Sequence, residues 1–176
     1  RLSFLVKSIT ETPRGKEIFL SRADPEFVKK LFAREVPEIS SESVEIKAIA
    51  REAGVRTKIA VTSTVPGVDP VGTFVGGHGT RVNAVMSEIG EQEKIDIVVW
   101  GEDSKEYITN ALSPTKVTAV TIDDKNSKAK VIVPNDQLSI AIGKSGQNVR
   151  LAAQLTGWKV DIRSESKMKE LARSEE

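Results

Sequence analysis

No cysteine occurs in the 176-residue chain, so a disulfide framework, a thiolate nucleophile and a cysteine metal site are excluded, and the chain suits a reducing cytoplasm. A single histidine, His78, gives no basis for an imidazole-built metal centre, and neither metal nor cofactor is expected. Charge of one sign is also missing: 26 Lys and Arg stand against 25 Asp and Glu, a formal net charge of +1. Any attraction for a polyanion must therefore be local. No apolar run approaches the roughly 20 residues that cross a bilayer, and no charged-then-apolar leader opens the chain, which reads as cytoplasmic and free of membrane contact. Aromatic residues are only 5% of the chain, and Trp100 and Trp158 fall on strand-like segments instead of forming a stacking platform. Trp158 shares a face with Val160 and Ile162 and is expected in the core. The sequence has no initiator Met and begins with the strand-like LSFLV, as a piece of a longer chain would.

What the chain has instead is a duplicated pattern. Gly143 and Gly146 stand three apart with only Lys144 and Ser145 between them, and a helical pattern follows at once. Glycine removes the Cβ that would hold a ligand's backbone away, and the start of the next helix offers unpaired N–H groups and partial positive charge. Val149, Leu151, Ala152, Ala153 and Leu155 give that helix its apolar side, Gly157 stops it, and the period changes to a strand through Trp158, Val160 and Ile162. The earlier copy has Gly76 and Gly79, a helical face of Val82, Val85, Met86 and Ile89, a stop at Gly90, and a strand through Ile95, Ile97 and Val99. Before the glycines, Val71, Phe74 and Val75 match Leu138, Ala141 and Ile142, each set expected on the buried face of a short helix. Asp69 and Asp136 both read as N-caps.

Taken in order, residues 1–22 predict a β-hairpin around Thr12-Pro13-Arg14-Gly15. Asp24 and Pro25 open a helix with Phe27, Val28, Leu31 and Phe32 as its stripe, ending before Pro37. Strands are expected at Val44 to Glu52, where Val44, Ile46, Ala48 and Ala50 alternate, and at Lys58 to Thr62. With the segments around Gly76 this makes the order αββααβ. The order then repeats: Asp103 and Glu106 form a capping box for the next helix, Pro114 ends it, and strands follow at Lys116 to Ile122 and Ala129 to Val133 around an Asp123-Asp124-Lys125-Asn126 turn. Beyond Ser164 the charged SESKMKELARSEE predicts a frayed tail or marginal helix. Two small α+β units result, joined only by Gly101 and Glu102, too short a junction for a flexible tether.

Enzymatic readings fail on spacing. Gly143-Lys144-Ser145 matches the end of the phosphate-loop pattern GxxxxGKS, but Leu138 stands where its first glycine is required. Gly77 and Gly79 are followed by Val82 where the dinucleotide fingerprint GxGxxG needs a third glycine. A hydrolase triad is also hard to build: the single histidine lies inside a glycine loop, where it is expected as an exposed residue without a catalytic task, and no catalytic residue is assigned.

A paired αββααβ unit with GxxG between two helices resembles the type II KH domain, an RNA- or single-stranded-DNA-binding fold. IAIGKSGQNVRLAAQLTGWKVDI, with VEIKAIAREAGVRTKIAV, VDPVG and IFLSRADPEFVKKLFAREVPEI, resembles the tandem KH region of the NusA family of bacterial transcription factors over almost the whole chain. The resemblance implies the end of an S1-like β-barrel at 1–22, KH domains at 23–101 and 102–164, and a charged tail at 165–176. It implies a monomer that binds nascent single-stranded RNA, RNA polymerase and other elongation or antitermination factors, and that modulates pausing, termination and antitermination. Carried over residue by residue, the RNA contacts fall on Gly76, Gly77, His78 and Gly79 and on Gly143, Lys144, Ser145 and Gly146. Arg81, Gln147, Asn148 and Arg150 at the following helix starts are placed to reach phosphates or base edges. The first loop departs from the pattern in having Gly-His where the second has Lys-Ser, so its attraction for phosphate at neutral pH is weaker. The alternative is a protein-interaction scaffold, with tight helix connections at the glycines and docking through Lys29, Lys30 and Arg34.

Overall fold

Asp24 sets the first helix: its carboxylate accepts the Glu26 N–H at 2.8 Å, and Pro25 follows with its φ already suited to a helix. The structure, a computed structural model, describes residues 1–175, so the last residue of the charged tail lies outside the described residues. A hairpin of β1 (Leu5–Thr12) and β2 (Gly15–Ser21) leads into α1 (Pro25–Glu35) and the short α2 (Pro37–Ser40). There follow β3 (Val44–Glu52), β4 (Arg56–Ser63), α3 (Pro70–Val75), α4 (Thr80–Ile89) and β5 (Lys94–Val99). The second unit comprises α5 (Ser104–Ala111), β6 (Ala119–Asp123), β7 (Lys128–Val133), α6 (Leu138–Ile142), α7 (Gln147–Thr156) and β8 (Lys159–Ser164), with α8 (Glu165–Ser174) after it. Each unit has a three-stranded sheet with a central strand paired antiparallel to one neighbour and parallel to the other, in the orders β3-β4-β5 and β6-β7-β8. These are the two α+β units of the expected αββααβ order.

In the first unit, α1, α3 and α4 cover one face of the sheet. Phe32 and Phe74, both fully buried, meet there with ring centroids 5.6 Å apart among Val28, Ile59, Val61 and Val85. Burial of each such ring contributes about 1.5–3 kcal/mol. The opposite face is also covered. Ala50, Ala60 and Val98 of the first sheet share a single buried cluster with Tyr107, Ile108, Leu151, Ala152 and Leu155 of α5 and α7. The second unit thus packs its helices onto the back of the first unit's sheet, and the sheet's five consecutive buried residues Thr57 to Val61 follow from being dry on both sides.

That packing corrects the simple alternation expected for β3. A bulge lies between Ile46 and Ala48, so Val44, Ile46 and Ile49 face the first unit's own helices whereas Ala48 and Ala50 face the second unit. One extra residue moves every later side chain to the other face. The small alanines allow α7 to approach closely. Lys58, fully buried on this side, donates to Asp96 Oδ2 at 2.8 Å and across the junction to the Ser113 carbonyl at 2.8 Å. Burial holds its ammonium below the ordinary lysine range, with Asp96 opposing that shift. Both tryptophans lie at the junction: Trp100 stacks edge-on against Tyr107 with Lys47 4.5 Å above its ring, and Trp158 packs half-buried on the same core.

Smaller expectations also change. Asp136 lies inside a 3₁₀ turn, Asn135–Gln137, and caps nothing, while Asp69 is in the N-cap position without a side-chain cap bond. Asp103 is the N-cap, but it accepts the Lys105 N–H at 3.0 Å and not the Glu106 N–H that the expected capping box requires. The tail does form a helix, N-capped by Ser164 and pinned by Thr118 to Glu165 and Asn135 to Ser166, but it buries no residue.

Candidate nucleic-acid interface

Each glycine pair sits where a short helix must reverse into a longer one. Gly76 (φ 79°, ψ 165°) and Gly143 (φ 77°, ψ 169°) end α3 and α6, donating N–H to Gly72 O and Ser139 O, each at 2.9 Å. A single 3₁₀ turn follows, closed by Gly79 N to Gly76 O and Gly146 N to Gly143 O, each at 3.1 Å. The third residue of each loop is left-handed, His78 at φ 56°, ψ 26° and Ser145 at φ 57°, ψ 25°, and so are Gly79 and Gly146, both at φ 74°. The two loops therefore share one backbone to within a few degrees, although only their glycines agree in sequence.

The outer glycines are required by the fold as well as by any ligand. A Cβ on Gly76 would lie 2.8 Å from Arg81 Cγ, and one on Gly143 would lie 2.8 Å from the Asn148 backbone nitrogen, so each loop wraps tightly against the helix it precedes. Gly77 differs: its backbone is not in the left-handed region and a Cβ there would meet nothing within 4 Å. Between the outer glycines, His78, Lys144 and Ser145 are exposed. Neither α4 nor α7 has a side-chain N-cap, so their first-turn N–H groups are left to the loop and to solvent.

The four side chains expected at the helix starts separate into different roles. Arg81 is directed back into its own unit, donating to both oxygens of Glu38 on α2 at 2.9 and 3.2 Å and to the Thr73 carbonyl at 2.8 Å. Its guanidinium holds the Glu38 carboxyl below the usual carboxylate range. Asn148 is fully buried, contrary to the expectation that it reaches phosphates or bases. Its amide donates to Ala141 O at 3.0 Å and Leu112 O at 3.2 Å, tying the loop to the end of α5. Gln147 is half-buried. Arg150 donates from Nη1 to the Ser145 carbonyl at 3.0 Å and from Nε to Glu52 of the first unit, which pushes its pKa up.

Ile142 corrects a further expectation. Leu138 and Ala141 face the core, but Ile142 is 38% exposed and Ile140 43% exposed. In a five-residue helix the last residue lies where Gly143 turns the chain outward, so a three-position stripe covers more arc than the core can take. These isoleucines give the second loop an apolar flank. Among the described residues no cluster of His, Cys, Asp or Glu could hold a metal ion, and no helix is long and apolar enough to cross a membrane.

A GxxG turn between two helices on a three-stranded sheet, with exposed loop residues and an apolar flank, defines the KH class of single-stranded nucleic-acid-binding domains, here in tandem. Residues 22–100 match the NusA-like first KH domain and residues 104–170 the NusA-like second KH domain. The chain belongs to the NusA family. It is 52% identical over 97% of its length to the transcription termination/antitermination protein NusA of Halalkalibacterium halodurans and 50% identical over 97% to that of Bacillus subtilis. The Thermus thermophilus protein of the same name is 48% identical over 91% of the chain. The chain spans less than half of these relatives, 44%, 46% and 41% of their lengths. The crystal structure of APE1850 shares the fold with a TM-score of 0.52 at 24% identity, covering 74% of this chain and 96% of that one.

Proposed function

We propose that this chain is a non-enzymatic RNA-binding module of a bacterial transcription elongation factor, contacting nascent single-stranded RNA through both GxxG loops. The observation that carries the reading is the identity of the two loop backbones, each with exposed residues at its tip and a side-chain-uncapped helix behind it. The RNA backbone passes Gly76 to Gly79 and Gly143 to Gly146, with Lys144, Ser145 and His78 nearest the phosphates and Gln147 beside them, while bases meet the apolar flank at Ile140 and Ile142. Arg81 and Asn148 hold the loops from inside. The relatives' name, transcription termination/antitermination protein, supports a role in termination and antitermination; we further infer RNA polymerase and other elongation factors as partners, a cytoplasmic location and a monomeric state. The hairpin of residues 1–22 is the end of an S1-like β-barrel. Its half-exposed Phe4, Val6, Ile9, Ile18, Phe19 and Leu20 fit the inner and outer surface of such a barrel. The KH domains occupy 23–101 and 102–164.

The test is titration of an unstructured RNA dodecamer at two salt concentrations, with duplex DNA of equal length as control. Binding that weakens as salt rises, with a log–log slope of about −0.7 per phosphate contacted, and that exceeds duplex binding supports the reading. No salt-sensitive RNA signal would favour a protein-docking scaffold.

A further inference from the structure

The second GxxG loop is braced from outside its own unit. Arg150, at the fourth position of α7, bridges the Ser145 carbonyl and the Glu52 carboxylate, and Glu52 is the last residue of β3 in the first unit. The first loop has no such dependence, because Arg81 and Glu38, which brace it, both belong to the first unit. We propose that Glu52 is a positioning residue for the second unit's RNA loop, acting through Arg150, so that the first KH domain fixes the loop geometry of the second.

Glu52 is itself held in place. Its neighbour Arg51 is buried with its guanidinium on Glu93, at 3.0 Å from both Nε and Nη2, and Glu93 also accepts the Gly54 N–H and the Thr57 hydroxyl, each at 2.7 Å. The Glu52 carbonyl accepts the Val55 N–H at 3.0 Å. The β3–β4 turn is therefore anchored to the start of β5 on one side and carries Glu52 on the other. The alanine face of β3 that receives α7 brings the beginning of that helix to this turn. A carboxylate this close to a phosphate-binding loop has two opposite consequences: it orders the loop through Arg150, and it repels passing phosphates while masking a cation. Ordering, passed through the Arg150 bond to the Ser145 carbonyl, is the effect that the inference assigns to Glu52.

The affinity arm of the test rests on the RNA-binding reading; the exchange arm does not. In Glu52→Ala, amide hydrogen exchange at Lys144, Ser145, Gly146 and Gln147 of the free protein should quicken about 2- to 5-fold, the range expected for losing one partly exposed ion pair. Amides of Gly76 to Thr80 should not change, and the melting temperature should fall by no more than about 2–4 °C. Glu52→Gln, which keeps an acceptor oxygen for Arg150, should restore most of the protection. Affinity for an RNA dodecamer should fall by a similar factor with an unchanged salt slope, because no phosphate contact is removed. Unchanged exchange at the second loop overturns the inference whether or not RNA binds. Tighter RNA binding with a steeper salt slope also overturns it, since Glu52 would then be a competitor for Arg150.

Discussion

Replacing Glu93 with alanine would remove the acceptor on which the first unit's most buried ion pair depends. Glu93 is 1% exposed and the Arg51 side chain 3% exposed, so neither charge is solvated. Without the carboxylate, Arg51 keeps only the Asp24 carbonyl at 2.9 Å and the Phe27 ring, and the Gly54 N–H and buried Thr57 hydroxyl lose their partner. Removing one member of a buried pair costs about 3–5 kcal/mol because the other charge stays buried and uncompensated. That is a large part of the roughly 5–15 kcal/mol total stability of a typical native protein. Replacing both partners, Glu93→Leu with Arg51→Met, removes the uncompensated charge but still leaves the Gly54 N–H and the Thr57 hydroxyl unpaired, at about 1–3 kcal/mol each, so it should recover part of the loss and not all of it. Urea unfolding followed by circular dichroism measures all three. A loss below about 1 kcal/mol in Glu93→Ala, or a double variant as weak as the single one, would refute the claim that an uncompensated buried charge sets the cost.

Lys144→Asp with Ser145→Asp should lower RNA affinity about tenfold or more with an unchanged circular dichroism spectrum, since two anions would face the phosphates at exposed positions; a folded variant that binds as the parent does would remove the second loop from the site. Ile142→Asp should shift stability by no more than about 0.5–1 kcal/mol, as for other surface changes, while weakening RNA binding through its apolar flank; cooperative unfolding lost at room temperature would return Ile142 to the core. Gly77→Lys, at an unstrained and open position, should fold normally and make RNA binding steeper in salt by about 0.7 in log–log slope, and an unchanged slope would mean that no phosphate passes there. The Glu26 N–H lowers the Asp24 pKa, Arg81 that of Glu38 and the Ser3 N–H that of Glu88. Each carboxylate then contributes stability that is present above its unfolded value, 3.8 for Asp and 4.5 for Glu, and is lost as pH falls through the lower folded value. Urea midpoints should hold from pH 7 to about 5 and fall toward pH 3; a midpoint rising over that lower interval would contradict the sign.

The duplicated spacing of glycines, helical stripes and strands was legible in the sequence because each depends on residues close together in the chain. What was not legible depends on the other unit. Lys58 reads as a polar residue at the edge of a strand, yet it is buried because the second unit's helices cover that face of the sheet. The alternation of Val44, Ile46, Ala48 and Ala50 is regular in sequence and broken in space by the bulge at Lys47. Ile142 and Asn148 exchange their expected places for one reason: the tight turn at Gly143 swings the helix end outward and brings the start of α7 in against Ala141 and Leu112. Glu38, Glu52 and Glu93 brace the loops and the turn between β3 and β4, and no local pattern in the sequence marks the distant partner of any of them.

The central claim is that two rigidly joined loops act as one RNA surface, and affinity against RNA length tests it most directly. At about four nucleotides per loop, a single strand visiting both is about 8 to 12 nucleotides long. The loops' fixed placement, through the shared core and the Lys58 bond to Ser113, should make the second contact effectively intramolecular. The first loop is best silenced by Gly77→Asp with His78→Asp, since substitution at Gly76 or Gly79 would strain a left-handed backbone and disturb the fold as well as the contact. The parent should gain affinity steeply between about 4 and 10 nucleotides and the silenced variant only shallowly. A tetramer that binds the parent as tightly as a dodecamer, or a length curve unchanged by silencing the first loop, would contradict the account.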